Sequence, residues 1–182
     1  MNTYQKFLIG CALGDALGVP VEGKTNKFTP RYGQDLIKKL TFCKRVLYNF
    51  TGQVSDDTQL TILLAKNMIQ NDGSNSESLM DTMAHAYAKN KIDGVGTSCR
   101  LAFENYLSNS FRYDNCGTPE GRSGNGAAIR VGLIGLYYDD EDTVIQKTVE
   151  VASLTHRDSK AIAGAVVISL MAHFLVTTNR KN

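Results

Sequence analysis

The chain has 182 residues, 42% of them hydrophobic and 21% charged, with a net charge of +2. That is enough chain to bury a core without disulfides or metal staples, and the balance excludes wholesale disorder. Its basic residues are scattered, gathering only loosely at Lys38, Lys39, Lys44 and Arg45, which excludes the electrostatic footprint of a nucleic-acid binder.

The four cysteines, Cys11, Cys43, Cys99 and Cys116, have neither CxxC spacing nor histidine companions at zinc-site intervals, so a reduced, cytoplasmic protein is expected. No basic segment followed by an apolar run opens the chain, because Asp15 interrupts the only apolar stretch near the N-terminus. In chain order, Gly10, Gly14 and Gly18 recur every four residues with Ala12 and Ala16 between them. Glycine weakens a helix by about 1 kcal/mol relative to alanine, so a helix with another backbone packed closely on that face is predicted. Lys44 to Thr51 reads as a short strand or a loop. Leu60, Leu63, Leu64 and Met68 follow helical spacing from Ser55, with a turn at Asn71 to Ser76. The same spacing recurs at Met80, Met83, Ala84 and Tyr87, and again at Leu101, Phe103, Tyr106 and Leu107. The acids from Asp139 to Asp142 suit the start of a helix through Val144, Ile145, Thr148, Val149 and Ala152. Ala161 to Val176 is shorter than the roughly 20 residues that span a bilayer and reads as a buried helix, so no membrane is expected. With no linker and no internal repeat, residues 1–182 read as one all-α domain.

Several segments carry groups capable of chemistry. Ser55, Asp56 and Asp57 suit a helix start, where a hydroxyl accepts an orphan N–H and carboxylates meet the positive end of the dipole. The same turn places three oxygen donors together, and hard divalent cations select oxygen. Glu22 follows Pro20, which stiffens the backbone before it; taken alone it reads as an exposed loop carboxylate. Asp15, between Gly14 and Ala16, is costly to bury unpaired and calls for a structural hydrogen-bonding role. In Ser123, Gly124, Asn125 and Gly126, glycines flank an asparagine just before a helix, either as a simple helix-start turn or as a cradle whose N–H groups face an anion. Arg130 serves helix packing, a nearby carboxylate or a ligand. His156 precedes a helix as a cap, a packing residue or a ligand contact, whereas His85 and His173 lie within apolar helical patterns and read as core or surface residues.

Taken together and in order, the segments GCALGDALGVPVEG, SDDTQLTILLA, SGNGAAIRVGLIGL and LTHRDSKAIAGA resemble the ADP-ribosylglycohydrolase family, of the dinitrogenase reductase-activating type. The resemblance covers most of Thr3 to Val176. It implies a compact, orthogonal multi-helix domain and a hydrolase that removes ADP-ribose from a modified protein side chain or a small conjugate. It also implies Mg²⁺, as one or two ions, held by Ser55, Asp56 and Asp57. Glu22 would position or activate water, and Asp93, which opens DGVGTSCR, would be a further catalytic carboxylate. Ser123, Gly124, Asn125 and Gly126 would hold the ADP-ribose diphosphate and ribose, with His156 beside the ligand. The family's second acidic cluster, an Asp-x-Asp-Thr/Ser element, lies further towards the C-terminus than Asn182, and no Asp or Glu follows Asp158. The expectation is therefore a form lacking the family's C-terminal helices, and three readings stand: a reduced enzyme using one metal ion, a homo-oligomer or complementing chain that supplies the missing acids, or a non-catalytic module that binds ADP-ribose or ADP-ribosylated protein or is purely structural.

Overall fold

The computed structural model describes residues 1–19, 22, 52–108 and 110–180. Pro20, the basic residues between 38 and 45 and the ambiguous segment Lys44 to Thr51 lie outside them. Within the described residues the chain is all-α, with α1 (Thr3–Gly18), α2 (Asp56–Asn71), α3 (Ser76–Ala88), α4 (Thr97–Leu107), α5 (Ala128–Tyr137), α6 (Glu141–Ser153) and α7 (Ser159–Arg180). Extended pairing among them is confined to an isolated parallel bridge between Thr118 and His156.

Local chemistry sets the helix boundaries. Asn2 and Gln5 form a reciprocal capping box at the start of α1. Asn75 accepts from the Ser78 N–H to cap α3, and Asp140 accepts from the Thr143 N–H to cap α6. Helix α2 ends where Asp72 adopts a left-handed conformation and Gly73 follows at φ 129°.

Helix α5 is the centre of the packing, with every residue from Arg130 to Leu136 buried. Leu60 and Leu64 of α2, Leu79, Met80 and Met83 of α3, and Phe103 of α4 converge with its Val131 and Ile134 in the core. The close backbone approach expected at Gly10, Gly14 and Gly18 occurs elsewhere. A Cβ at any of those three would meet nothing within 4 Å among the described residues, whereas one at Gly135 would fall 1.9 Å from the Ser169 carbonyl oxygen of α7, and one at Gly132 2.5 Å from the Phe7 ring. Four-residue spacing places glycines on one face but does not say which face another element covers.

Helix α7 also differs from its expectation. It is 22 residues long, and its segment Ser159–Thr178 is long and apolar enough, by length and composition alone, to cross a membrane. It is buried on one side only. Ala161, Ala165, Ser169, Ala172 and His173 face the protein, while Val167, Ile168, Met171, Phe174 and Leu175 are exposed. Uniform hydropathy hid this asymmetry, since apart from His173 the buried residues named are small, while the exposed apolar ones are large.

Candidate functional site

The site begins with a contact between α1 and the start of α2. The Asp15 carboxylate accepts from the Ser55 N–H at 2.9 Å, the Ser55 hydroxyl at 2.8 Å, the Thr58 N–H at 3.2 Å and the Thr58 hydroxyl at 2.6 Å. Burial works against its charge, but the bonds from Thr58 and Ser55 outweigh it and hold the carboxyl below the usual carboxylate range. The Ser55 hydroxyl also accepts from the Asp57 N–H at 3.3 Å. It therefore serves as the helix cap, with its proton committed to Asp15.

With the turn so fixed, Asp56 and Asp57 stand in the first turn of α2. Asp56 is 7% exposed, and its carboxylate accepts a long hydrogen bond, 3.4 Å from the Gly96 nitrogen. Burial, then the charges of Asp57 and Glu22, push its pKa up to about 6 against the opposing Gly96 bond. Burial, then the charges of Asp15 and Glu22, likewise raise Asp57. Gly14, Asp15, Gly18, Glu22, Ser55 and Asp57 line an open cleft of about 350 Å³.

The loop before α4 joins this acidic turn to a second region. Gly94, at φ 77°, lies against Ser55 and Asp56, a Cβ there falling 3.7 Å from each. Asp93 is exposed. Its carboxylate accepts from Gln59 Nε2 at 3.0 Å, and its N–H donates to Gln59 Oε1 at 2.7 Å, so both ends of that amide tie the loop to α2. On the other side of the start of α4, a Cβ on Gly124 would meet Ser98 Oγ at 3.9 Å and His156 Nε2 at 3.1 Å, and one on Gly126 would meet Cys99 Sγ and His156 Cε1, each at 3.0 Å. Asn125 to Ala127 form one 3-10 turn leading into α5, and no side chain caps either start. Ser123, Gly124 and Asn125 are exposed. His156 is 1% exposed; burial, then the Arg130 charge, lower its pKa to about 4.

A sequence profile of the ADP-ribosylglycohydrolase family matches residues 2–182. The chain belongs to this family. Among curated relatives, the ADP-ribosylhydrolase ARH3 of Xenopus tropicalis is 28% identical, over 96% of this chain and 50% of its own length. The ADP-ribosyl-[dinitrogen reductase] glycohydrolase of Rhodospirillum rubrum is 26% identical, over 92% of this chain and 56% of its own length. The chain thus spans about half the length of these relatives. An ADP-ribosylglycohydrolase-related protein complex of known structure matches the fold with a TM-score of 0.71 at 24% identity, over 93% of this chain and 54% of that one.

In this ADP-ribosylglycohydrolase-family chain, Ser55, Asp56, Asp57 and Glu22 lie together, while Gly124, Gly126 and His156 form a second group reached through Gly96 to Cys99. Asp93 stands at the edge, held by Gln59. Among the described residues no three His, Cys, Asp or Glu side chains converge closely enough to hold a metal ion. The donor set nevertheless fits a hard cation: Asp56 is buried and Asp57 partly so, burial and then neighbouring carboxylates raise the pKa of both, and Asp56, Asp57 and Glu22 form no ion pair among the described residues. Arg130, left open between packing, a nearby carboxylate and ligand binding, bonds to Gly126 O, Val151 O and Thr155 Oγ1 and feels the charge of Asp56. Sequence reading missed Thr58 and Gln59. Their partners, Asp15 and Asp93, are 43 and 34 positions distant, and nothing local marks such pairs.

Proposed function

We propose that the protein hydrolyses the bond joining ADP-ribose to a modified protein side chain or small conjugate, with magnesium at the acidic turn. The supporting observation is the gathering of Asp56, Asp57 and Glu22, which form no ion pair among the described residues, joined through one helix start to the glycine segment at Gly124 to Gly126. Asp56 and Asp57, with Ser55 as a weaker third donor, would hold one or two ions. Bound there, magnesium supplies charge that orients ribose hydroxyls and acidifies a water. Glu22 takes the proton of the attacking water. Asp93 is assigned as the second carboxylate, kept in place by Gln59. Ser123 to Gly126 cradle the diphosphate with uncapped N–H groups, and His156 contacts the ligand. The water oxygen bonds to the anomeric carbon as the bond to the acceptor breaks, through an oxocarbenium-like state, and the acceptor leaves with a proton. The described cysteines Cys11, Cys99 and Cys116 are free thiols, in keeping with a reducing compartment.

A second reading, recognition of ADP-ribose without cleavage, is favoured by the lack of a converged three-ligand metal group among the described residues. Release of free ADP-ribose from ADP-ribosyl-arginine protein, followed with magnesium and with chelator, separates the two. Magnesium-dependent release, lost in the Asp56→Asn/Asp57→Asn double variant and strongly reduced in Glu22→Gln, supports hydrolysis. Binding of ADP-ribose by calorimetry without release supports recognition alone, and neither binding nor release removes both.

A further inference from the structure

Arg130 is fully buried, yet among the described residues no carboxylate forms an ion pair with it. Its guanidinium donates to the Gly126 carbonyl, to Val151 O at 3.0 Å and to Thr155 Oγ1 at 2.6 Å, while its Nε is buried without a partner. Burying a cation on carbonyls, a hydroxyl and the Cys99 thiol costs free energy, offset in part by the charge of Asp56, and these bonds tie Gly126 of the glycine segment to Thr155, the residue before His156.

The bond to Thr155 has a further consequence. A guanidinium only donates, so Thr155 Oγ1 accepts from Arg130 and keeps its own proton to give away. Oγ1 lies 2.9 Å from His156 Nδ1. The other nearby group is the Cys99 thiol, which burial keeps neutral, and neutral sulfur is a weak acceptor. The Thr155 hydroxyl therefore donates to Nδ1, which carries no proton, and the ring proton resides on Nε2. That nitrogen lies where a Cβ on Gly124 would be 3.1 Å away and one on Gly126 3.5 Å away, and among the described residues it has no hydrogen-bond acceptor.

We infer that Arg130 and Thr155 are positioning residues: through the relay Arg130 to Thr155 to His156 they fix His156 as a neutral ring whose Nε2–H faces the space over Gly124 and Gly126, ready to donate to an oxygen of a bound ligand. The relay is independent of the proposed function, which enters only in naming that oxygen as one of ADP-ribose. Glycine at 124 and 126 is then required to leave that face of the ring uncovered.

The test is long-range ¹H–¹⁵N correlation spectroscopy of the chain labelled at histidine nitrogens, without ligand. The expected pattern for His156 is a protonated Nε2 and an Nδ1 resonance displaced as a hydrogen-bond acceptor. In Thr155→Val that Nδ1 resonance should move to the value of a free ring nitrogen, and Thr155→Ser should restore it. A proton on Nδ1 in the unaltered chain, or an Nδ1 resonance unmoved in Thr155→Val, overturns the relay. Calorimetry with ADP-ribose then reads the ligand step. Loss of one buried hydrogen bond corresponds to about tenfold weaker binding in Thr155→Val, with Thr155→Ser close to the unaltered chain. Equal affinity across the three forms overturns the donor role of His156 while leaving the proposed function standing. Absence of ADP-ribose binding in the unaltered chain, with the NMR pattern as expected, overturns the proposed function and leaves the relay standing.

Discussion

Asp15 of α1 reaches Thr58 of α2 with a 2.6 Å hydroxyl bond, and with its other contacts it takes up both donors of Ser55. One carboxylate thereby holds the turn that presents Asp56 and Asp57.

Replacing Asp15 with alanine leaves Ser55 and Thr58 without their acceptor. A loss of about 1 to 3 kcal/mol is expected from the stranded donors, read by urea denaturation. Asp15→Asn, which keeps an acceptor oxygen, should lose less. Equal stability of Asp15→Ala and the unaltered chain would show that the carboxylate does not brace the turn.

A divalent cation that binds the acidic turn stabilises the folded chain by mass action. At 100 times its dissociation constant the gain is about 2.7 kcal/mol. Magnesium should raise the melting temperature of the unaltered chain but not that of the Asp56→Asn/Asp57→Asn variant, in matched scans against chelator. A rise preserved in the variant would locate the cation elsewhere.

Glycines 10 and 135 should respond in opposite directions to alanine. At Gly135 the new methyl meets the Ser169 backbone oxygen at 1.9 Å, and overpacking against backbone costs about 1 to 3 kcal/mol or more. At Gly10 it meets nothing within 4 Å among the described residues, and the gain in helix propensity is about 0.5 to 1 kcal/mol. Melting curves of the two variants decide whether the close approach lies where the structure puts it.

His156 should make the fold acid-sensitive. Its folded pKa of about 4 lies below the ordinary histidine value of 6.5, so between those values the unfolded chain binds the extra proton. Its contribution is complete above the unfolded value and is lost as pH falls towards the folded one. Between pH 7 and pH 5 that is on the order of 1 to 2 kcal/mol. Urea unfolding at the two pH values should show a smaller difference for His156→Asn than for the unaltered chain. An identical difference would place the acid sensitivity in other groups.

Much of the fold was legible because helix boundaries depend on near neighbours. Ser55 before two acids, and the acids at Asp139 to Asp142 before an apolar pattern, mark helix starts within a few positions, and both start helices. The site was legible only as separate pieces. Nothing near Gly124 shows that His156 lies beside it, and nothing near Asp93 shows that Gln59 holds it, since tertiary packing makes those contacts. The glycines of α1 were misread because small residues mark a possible close approach, and only a neighbour on that face makes it real. Hydropathy misled at α7 for a related reason: it sums side chains without regard to which of them face inward.

That inversion in α7, with alanines and a serine inward and Val167, Ile168, Met171, Phe174 and Leu175 outward, bears on how stability varies with temperature. The heat capacity of unfolding comes mainly from apolar surface newly exposed to water. The large side chains of this helix are already hydrated in the folded chain and add little when it unfolds. The described fold should therefore have a smaller heat-capacity increment, and a broader and flatter stability curve, than the apolar content of α7 alone would suggest.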